Sequence, residues 1–272
     1  MMITCDRKDG LVRAAVWRGK QLVDLYVDRE ALPDETGALV YGQVVRALPS
    51  KGEVFLDAGL AQNLFLKSKA NAGTWLAARV LSTQDEGKAW RARAETALVE
   101  EKKKMVLESP PTPWQRALAD HKAQLLFEEA LDYKACAALG LACEKGRDVH
   151  PALDEIIEDL LNPVHGSVIV EQTRAFWAVD INGPLDKNPT ALNLEAVPVI
   201  ARLLRLCNIG GLVVMDCLKM PNRADGAKLR HAFERALAQD PAKPQVFGPT
   251  RLGLIEIARP ARGPSLHKIY GR

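Results

Sequence analysis

Asp180 closes the apolar run "AFWAVD" and Asn182 follows it two residues later; a second acid, Asp216, closes "GGLVVMD". Ionised Asp is rarely fully buried unless it is paired or binds a metal, so a carboxylate at the end of a strand-like run calls for a reason. The two acids are 36 residues apart, one strand–helix–strand excursion, which can place two strand ends side by side. Two carboxylates there would repel unless a cation lay between them. Hard oxygen donors with water completing the shell suit magnesium. Asn182 lies on the same side of an extended chain as Asp180 and could hydrogen-bond a carboxylate or an attacking water. A metal in such a place activates bound water and neutralises charge on a phosphate. An Asp after a strand is also a common turn or N-cap residue, and the residues alone leave both readings open.

The elements that must position these groups follow from pattern. Residues 166–272 alternate strand and helix: "SVIVEQT", "FWAVDI" and "LVVMD" read as strands, and "LIEIARP" as a last one. "NLEAVPVIARLLRLCNIGG" reads as a helix with Val197, Ile200, Ala201 and Leu204 on one face, Pro198 in its first turn and Gly210–Gly211 as its stop. "ADGAKLRHAFERALAQD" reads as a second helix. Upstream, 11–28 reads as a hairpin around "RGK". Five short strand candidates then follow at 38–48, 53–59, 63–69, 74–83 and 91–99, which suggests a small barrel such as an OB-fold. "EKKK" and "SPPTP" look like a linker, and 114–162 is helical in pattern.

In "VFL" (54–56) and "LFL" (64–66), a phenylalanine stands between two aliphatics. Alternation points Phe55 and Phe65 away from whatever the aliphatics pack against. If the aliphatics fill the barrel, two outward rings make a base-stacking platform worth about 1–3 kcal/mol per base. The competing arrangement packs those rings under another domain.

Composition excludes several classes. With 47% hydrophobic and 26% charged residues the chain is ordinary globular protein, and a net charge of +3 does not by itself diagnose nucleic-acid binding. The last 22 residues carry five Lys/Arg against the single Glu256, either a phosphate-tracking end or a solvated tail. The five cysteines include no Cys-x-x-Cys pair and are odd in number, so neither a zinc knuckle nor a disulfide framework is expected. No secretory signal and no membrane-length apolar run is visible. A soluble, cytoplasmic chain is expected.

"GSVIVEQTRAFWAVDING", "NLEAVPVIARLLRLCNIGGLVVMD" and "TRLGLIEIARPARGPSL" resemble the catalytic region of the ribonuclease E/G family of bacterial endoribonucleases. "GALVYGQVVRALPSKGEVFLDAGLAQNLFL" resembles that family's S1-type OB-fold. The likeness covers most of 11–100 and 153–267. It implies an α/β multi-domain fold with four parts: an N-terminal hairpin (1–35) of an RNase H-like layer, an S1-type OB-fold barrel (36–100), the helical remainder of that layer (101–165) and a DNase I-like catalytic unit (166–272). By the same resemblance Asp180 and Asp216 are the magnesium ligands, with manganese as a substitute, and Asn182 supports them. The implied reaction is hydrolysis of single-stranded RNA, leaving a 5′-phosphate and a 3′-hydroxyl. Phe55 and Phe65 match the family's stacking positions, Lys88 a basic loop position that meets phosphate, and Lys243 the place of an arginine in the 5′-phosphate pocket.

Three departures shape the expectation. No Arg-Thr pair for gripping a 5′-monophosphate is found between 99 and 152, and Lys at 243 cannot reproduce a bidentate grip. Little 5′-end sensing is therefore expected. The sequence given stops at Arg272, short of the family's zinc link and small domain, so a monomer or weak dimer without structural zinc is expected rather than a zinc-linked tetramer. The loop after Asn182, "GPLDKNPTA", is shorter than the family's, with Asp186 read as a turn acid and Glu195 as a helix-start acid. The rival reading is an RNA-binding protein that no longer cuts, serving as a regulator or ribosome-assembly aid. A DNase on the same acids is a third, disfavoured by a platform suited to single strands.

Overall fold

The computed structural model describes residues 1–31, 34–83, 89–128, 130–146, 152–184 and 186–271. The chain forms two units: Met1–Val27 with Ala117–Arg272, and Asp28–Arg116.

The first unit begins with β1 (Met2–Lys8), β2 (Leu11–Arg18) and β3 (Gln21–Arg29). β1 and β2 are antiparallel around Asp9–Gly10, both at positive φ, the backbone of the tight hairpin turn that Asp-Gly favours. The 11–28 hairpin is present as expected; β1 is an addition that the sequence reading did not foresee.

The second unit holds β4 (Leu39–Leu48), β5 (Glu53–Asp57), β6 (Leu64–Lys67), β7 (Trp75–Ser82), β8 (Trp90–Glu95) and β9 (Met105–Glu108). Strands β4, β5, β6, β8 and β7 pair in a ring that closes back on β4, a five-stranded barrel compatible with an OB-fold. Val40, Val44, Val54, Leu56, Leu64, Leu66 and Val80 fill its interior. A bulge between Val44 and Arg46 lets β4 bend to serve both neighbours. Gly42 is required where it stands, because a Cβ there would lie 2.4 Å from the Asp57 carbonyl oxygen. The expected linker is only partly one, since β9 interrupts it and pairs with β4.

The chain returns to the first unit through α1 (Pro113–Asp120), β10 (Gln124–Phe127), α2 (Ala130–Ala138), β11 (Cys143–Lys145) and α3 (Leu153–Leu160). The expectation that 114–162 is helical in pattern is corrected at β10. Leu125 and Phe127 bury their side chains and pair in parallel with Ile3 and Cys5 of β1, so tertiary pairing overrides a short apolar run that either element could use. The resulting sheet has the order β11-β10-β1-β2-β3.

The remaining elements are β12 (Val164–His165), β13 (Val168–Gln172), β14 (Trp177–Ile181), α4 (Pro189–Leu206), β15 (Gly211–Asp216), α5 (Arg223–Leu237), β16 (Gln245–Phe247), β17 (Ile255–Arg259) and α6 (Leu266–Tyr270). They form a sheet of order β12-β13-β14-β15-β17-β16, with β14 and β15 its parallel pair. Val168, Val170, Val179, Ile181, Val213, Met215, Ile255 and Ile257 share one core with Ile200 and Leu204 of α4 and Leu229 and Phe233 of α5. The alternate positions point the other way.

Helix α4 starts earlier than expected. Asn188 caps it, accepting from the Thr190 and Ala191 backbone amides, and Pro189 takes the first turn. Pro198 therefore lies inside the helix and Glu195 in its second turn; neither occupies the start that the sequence reading gave it.

Two buried polar clusters brace this unit. Arg259 makes a two-pronged ion pair with Asp240, Nε–Oδ2 2.8 Å and Nη2–Oδ1 3.1 Å, both residues nearly inaccessible. Asp24 Oδ2 lies 2.9 Å from His121 Nε2 and accepts from Arg205 Nε at 3.0 Å and from the Tyr26 hydroxyl at 3.1 Å. Burial alone would raise the Asp24 carboxyl, but the His121 hydrogen bond and the Arg205 charge hold it below the usual carboxylate range.

Candidate functional site

Parallel pairing of β14 with β15 sets Trp177 beside Val213 and runs in register to Asp180 beside Asp216. On neighbouring strands about 4.8 Å apart, the two carboxylates stand side by side. Both are exposed, because alternation buries Val179, Ile181 and Met215 and turns the acids to the opposite face. A strand that is apolar on one face thus ends on carboxylates without burying them. Asn182 Nδ2 donates to Asp180 Oδ2 at 2.8 Å, and the Asn182 backbone amide donates to the Ser167 carbonyl at 2.8 Å. Asn182 is fixed at both ends and orients one carboxylate.

A shallow depression of about 190 Å³ lies over the pair, lined also by Ile169, Glu171, Phe176, Ala178, Val214 and Leu254. Burial first, then the Asp216 charge, pushes the thiol of Cys217, next in the chain to Asp216, up to about 12.

Among the described residues, no group of three or more His, Cys, Asp or Glu converges in a way that could hold a metal ion. The donor set at Asp180 and Asp216 is two water-accessible carboxylates. It fits an ion that takes oxygen ligands and keeps several waters, as magnesium does, and not a closed zinc shell.

On the barrel, Phe55 of β5 stands opposite Phe65 of β6, with ring centroids 5.4 Å apart and planes tilted by 53°. Val54, Leu56, Leu64 and Leu66 are buried inside the barrel, so the rings face outward and remain partly accessible. Two arginines that sequence reasoning missed extend this row. Arg46 of β4 pairs with Phe55 in register and holds its guanidinium 5.9 Å from the ring centre; Arg91 of β8 pairs with Phe65. Alternation in "RARAE" could have given Arg91, whereas Arg46 follows the bulge, where period-2 counting fails.

Lys88 lies outside the described residues. Lys243 is exposed at the turn after α5, with φ +53°. It enters β16 on the Gln245 side, which pairs with Ala258, while Asp216 lies at the other end of β15, beyond the Met215–Ile255 pair. The structure does not bring Lys243 to the acids.

Residues 149–262 match the model of the Ribonuclease E/G family. The chain is 34% identical over 149 residues to "Ribonuclease E" of Nostoc sp., covering 48% of this chain and 22% of that protein. It is 39% identical over 101 residues to "Ribonuclease G" of Escherichia coli (strain K12), covering 35% of this chain and 21% of that protein. The aligned stretches span about a fifth of these relatives' own length. A mixed α/β chain with a barrel and an acid pair at parallel strand ends is the class that geometry defines. Through residues 149–262, the chain is similar to the ribonuclease E/G family.

Proposed function

We propose that this protein is an endoribonuclease that hydrolyses internal phosphodiesters of single-stranded RNA, leaving 5′-phosphate and 3′-hydroxyl ends. One observation carries the reading. Asp180 and Asp216 stand in register on parallel strands, with Asn182 donating to Asp180, inside the segment that matches the family. Asp180 and Asp216 would hold magnesium, or manganese in its place. When bound, the ion supplies charge neutralisation at the scissile phosphate and a more acidic water. Asn182 keeps the Asp180 carboxylate in one orientation, and the open face admits a strand of RNA. Phe55 and Phe65 stack bases, and Arg46 and Arg91 meet the phosphates on either side.

Two finer readings of the fold belong to the same proposal. The order β11-β10-β1-β2-β3, with β10 parallel to β1, supports an RNase H-like layer. The mixed sheet with its acids at strand ends supports a DNase I-like unit.

The barrel platform needs neither acid, and that observation favours a second reading: a single-stranded RNA-binding protein that does not cut. An end-labelled, AU-rich RNA incubated with the protein in magnesium or in EDTA separates the two. Products from the wild type alone, absent with EDTA and with Asp180→Asn or Asp216→Asn, support the nuclease. Equal binding with no product in any sample supports the binder.

A further inference from the structure

The two acids are 36 residues apart in sequence and form the last pair of the β14–β15 ladder, where both strands give way to turns. The chain leaving β14 and the chain leaving β15 both come to rest on the N-terminal half of α4. After β14, Gly183 lies so close to that helix that a Cβ would fall 2.5 Å from Leu192 Cδ1 and 3.2 Å from Leu218 Cδ1. After β15, the backbone of Leu218 is held on both sides by a single side chain. Asn193 Nδ2 donates to the Leu218 carbonyl at 2.8 Å, and Asn193 Oδ1 accepts from the Leu218 amide at 3.0 Å. Asn193 is wholly buried.

Paired donor and acceptor bonds to one residue mimic a peptide in a β-ladder and fix both the position and the rotation of the turn they hold. Neither Asp nor Leu can do this. An ionised Asp lacks the donor, and Leu leaves two backbone groups unpaired.

We infer that Asn193 is a positioning residue for the reaction, clamping the turn two residues past Asp216 to α4 so that Asp216 keeps its register with Asp180, while Gly183 lets the turn past Asp180 close on the same helix. The inference rests on Asp180 and Asp216 being the ion's ligands. A side chain that orients a ligand typically carries about 10- to 100-fold in metal affinity or activity when lost. A merely structural asparagine would lower stability and leave the folded fraction's affinity untouched.

The test titrates Mn²⁺ into the full chain and follows free ion by electron paramagnetic resonance. Wild type, Asp180→Asn, Asn193→Leu, Gly183→Ala and Gly183→Ala/Leu192→Ala are compared, with melting curves and RNA cleavage alongside. Asn193→Leu is expected to weaken Mn²⁺ binding about 10-fold or more and to lower kcat with KM for RNA nearly unchanged. Gly183→Ala is expected to do the same more mildly, and Leu192→Ala to restore it in large part by removing the nearest atom that the new Cβ meets. If Asn193→Leu does not fold, the glycine pair decides alone. Affinity and kcat of the folded variants within twofold of wild type, or no rescue by Leu192→Ala, overturn the inference while leaving the ligand assignment standing. Wild-type binding no tighter than that of Asp180→Asn overturns the assignment and this inference with it.

Discussion

The barrel face and the acid face are built by the same strand alternation, yet they differ in what holds their key pair together. Phe55 and Phe65 are ten residues apart on adjacent antiparallel strands, inside a sheet that closes on itself. Asp180 and Asp216 meet across a helical crossover, at strand ends followed by turns that must be held from outside. Local pairing makes a platform that tolerates change nearby. Non-local pairing makes a site whose geometry depends on α4, and the two faces should fail in different ways.

The largest difference is expected from the acids. Asp180→Asn or Asp216→Asn should lower kcat/KM for RNA cleavage by on the order of 10³-fold or more, while RNA affinity measured by filter binding stays near wild type. A parallel loss of affinity would mean that the acids contribute to general binding and not to chemistry alone.

Next in size is the brace behind the acids. Arg259→Ala would strand the buried Asp240 carboxylate, a loss of about 3–5 kcal/mol in denaturant unfolding of the first unit. Retained stability would show that water or another cation takes the guanidinium's place.

On the barrel, Phe55→Ala and Phe65→Ala should each weaken RNA binding by about 1–3 kcal/mol with little change in melting temperature. A marked fall in melting temperature would place the rings in a core, against the outward orientation.

Acid stability sharpens the comparison further. Because the folded Asp24 carboxyl titrates below its unfolded value of about 3.9, its contribution is complete above about pH 4 and is lost as pH falls through the folded value. Asp24→Asn should therefore flatten the acid limb of the stability profile; an unchanged limb would move the source elsewhere. The smallest effect is expected at the substrate's end: replacing a 5′-monophosphate with a 5′-hydroxyl should change the cleavage rate little.

The adjacency of both residue pairs was legible in the sequence, for one reason. An Asp closing each of two apolar runs, and a Phe flanked by aliphatics twice over, are period-2 statements that need no knowledge of distant neighbours. What was not legible depended on such neighbours or on turn chemistry. The strand at Gln124–Phe127 exists because β1 offers a partner, and the run "QLLF" is too short to choose strand over helix by itself. The Asp9–Gly10 turn is itself a hairpin signal, carried by turn chemistry rather than by alternation. The start of α4 lies in Asn188–Pro189, a cap and first-turn pair, with Pro198 competing as a first-turn proline further along. Asn193 was legible only as the first residue of the resembling run "NLEAVPVIARLL"; its hold on Leu218 was not, since that backbone lies 25 residues away.

The central claim is that one divalent ion is held jointly by Asp180 and Asp216, and an anomalous difference map from crystals soaked in Mn²⁺ tests it most directly. The account predicts a single strong peak within coordination distance of both carboxylates, absent from crystals of Asp180→Asn. Ordered carboxylates with no peak between them, or a peak bound by one acid and unaffected by loss of the other, would contradict it.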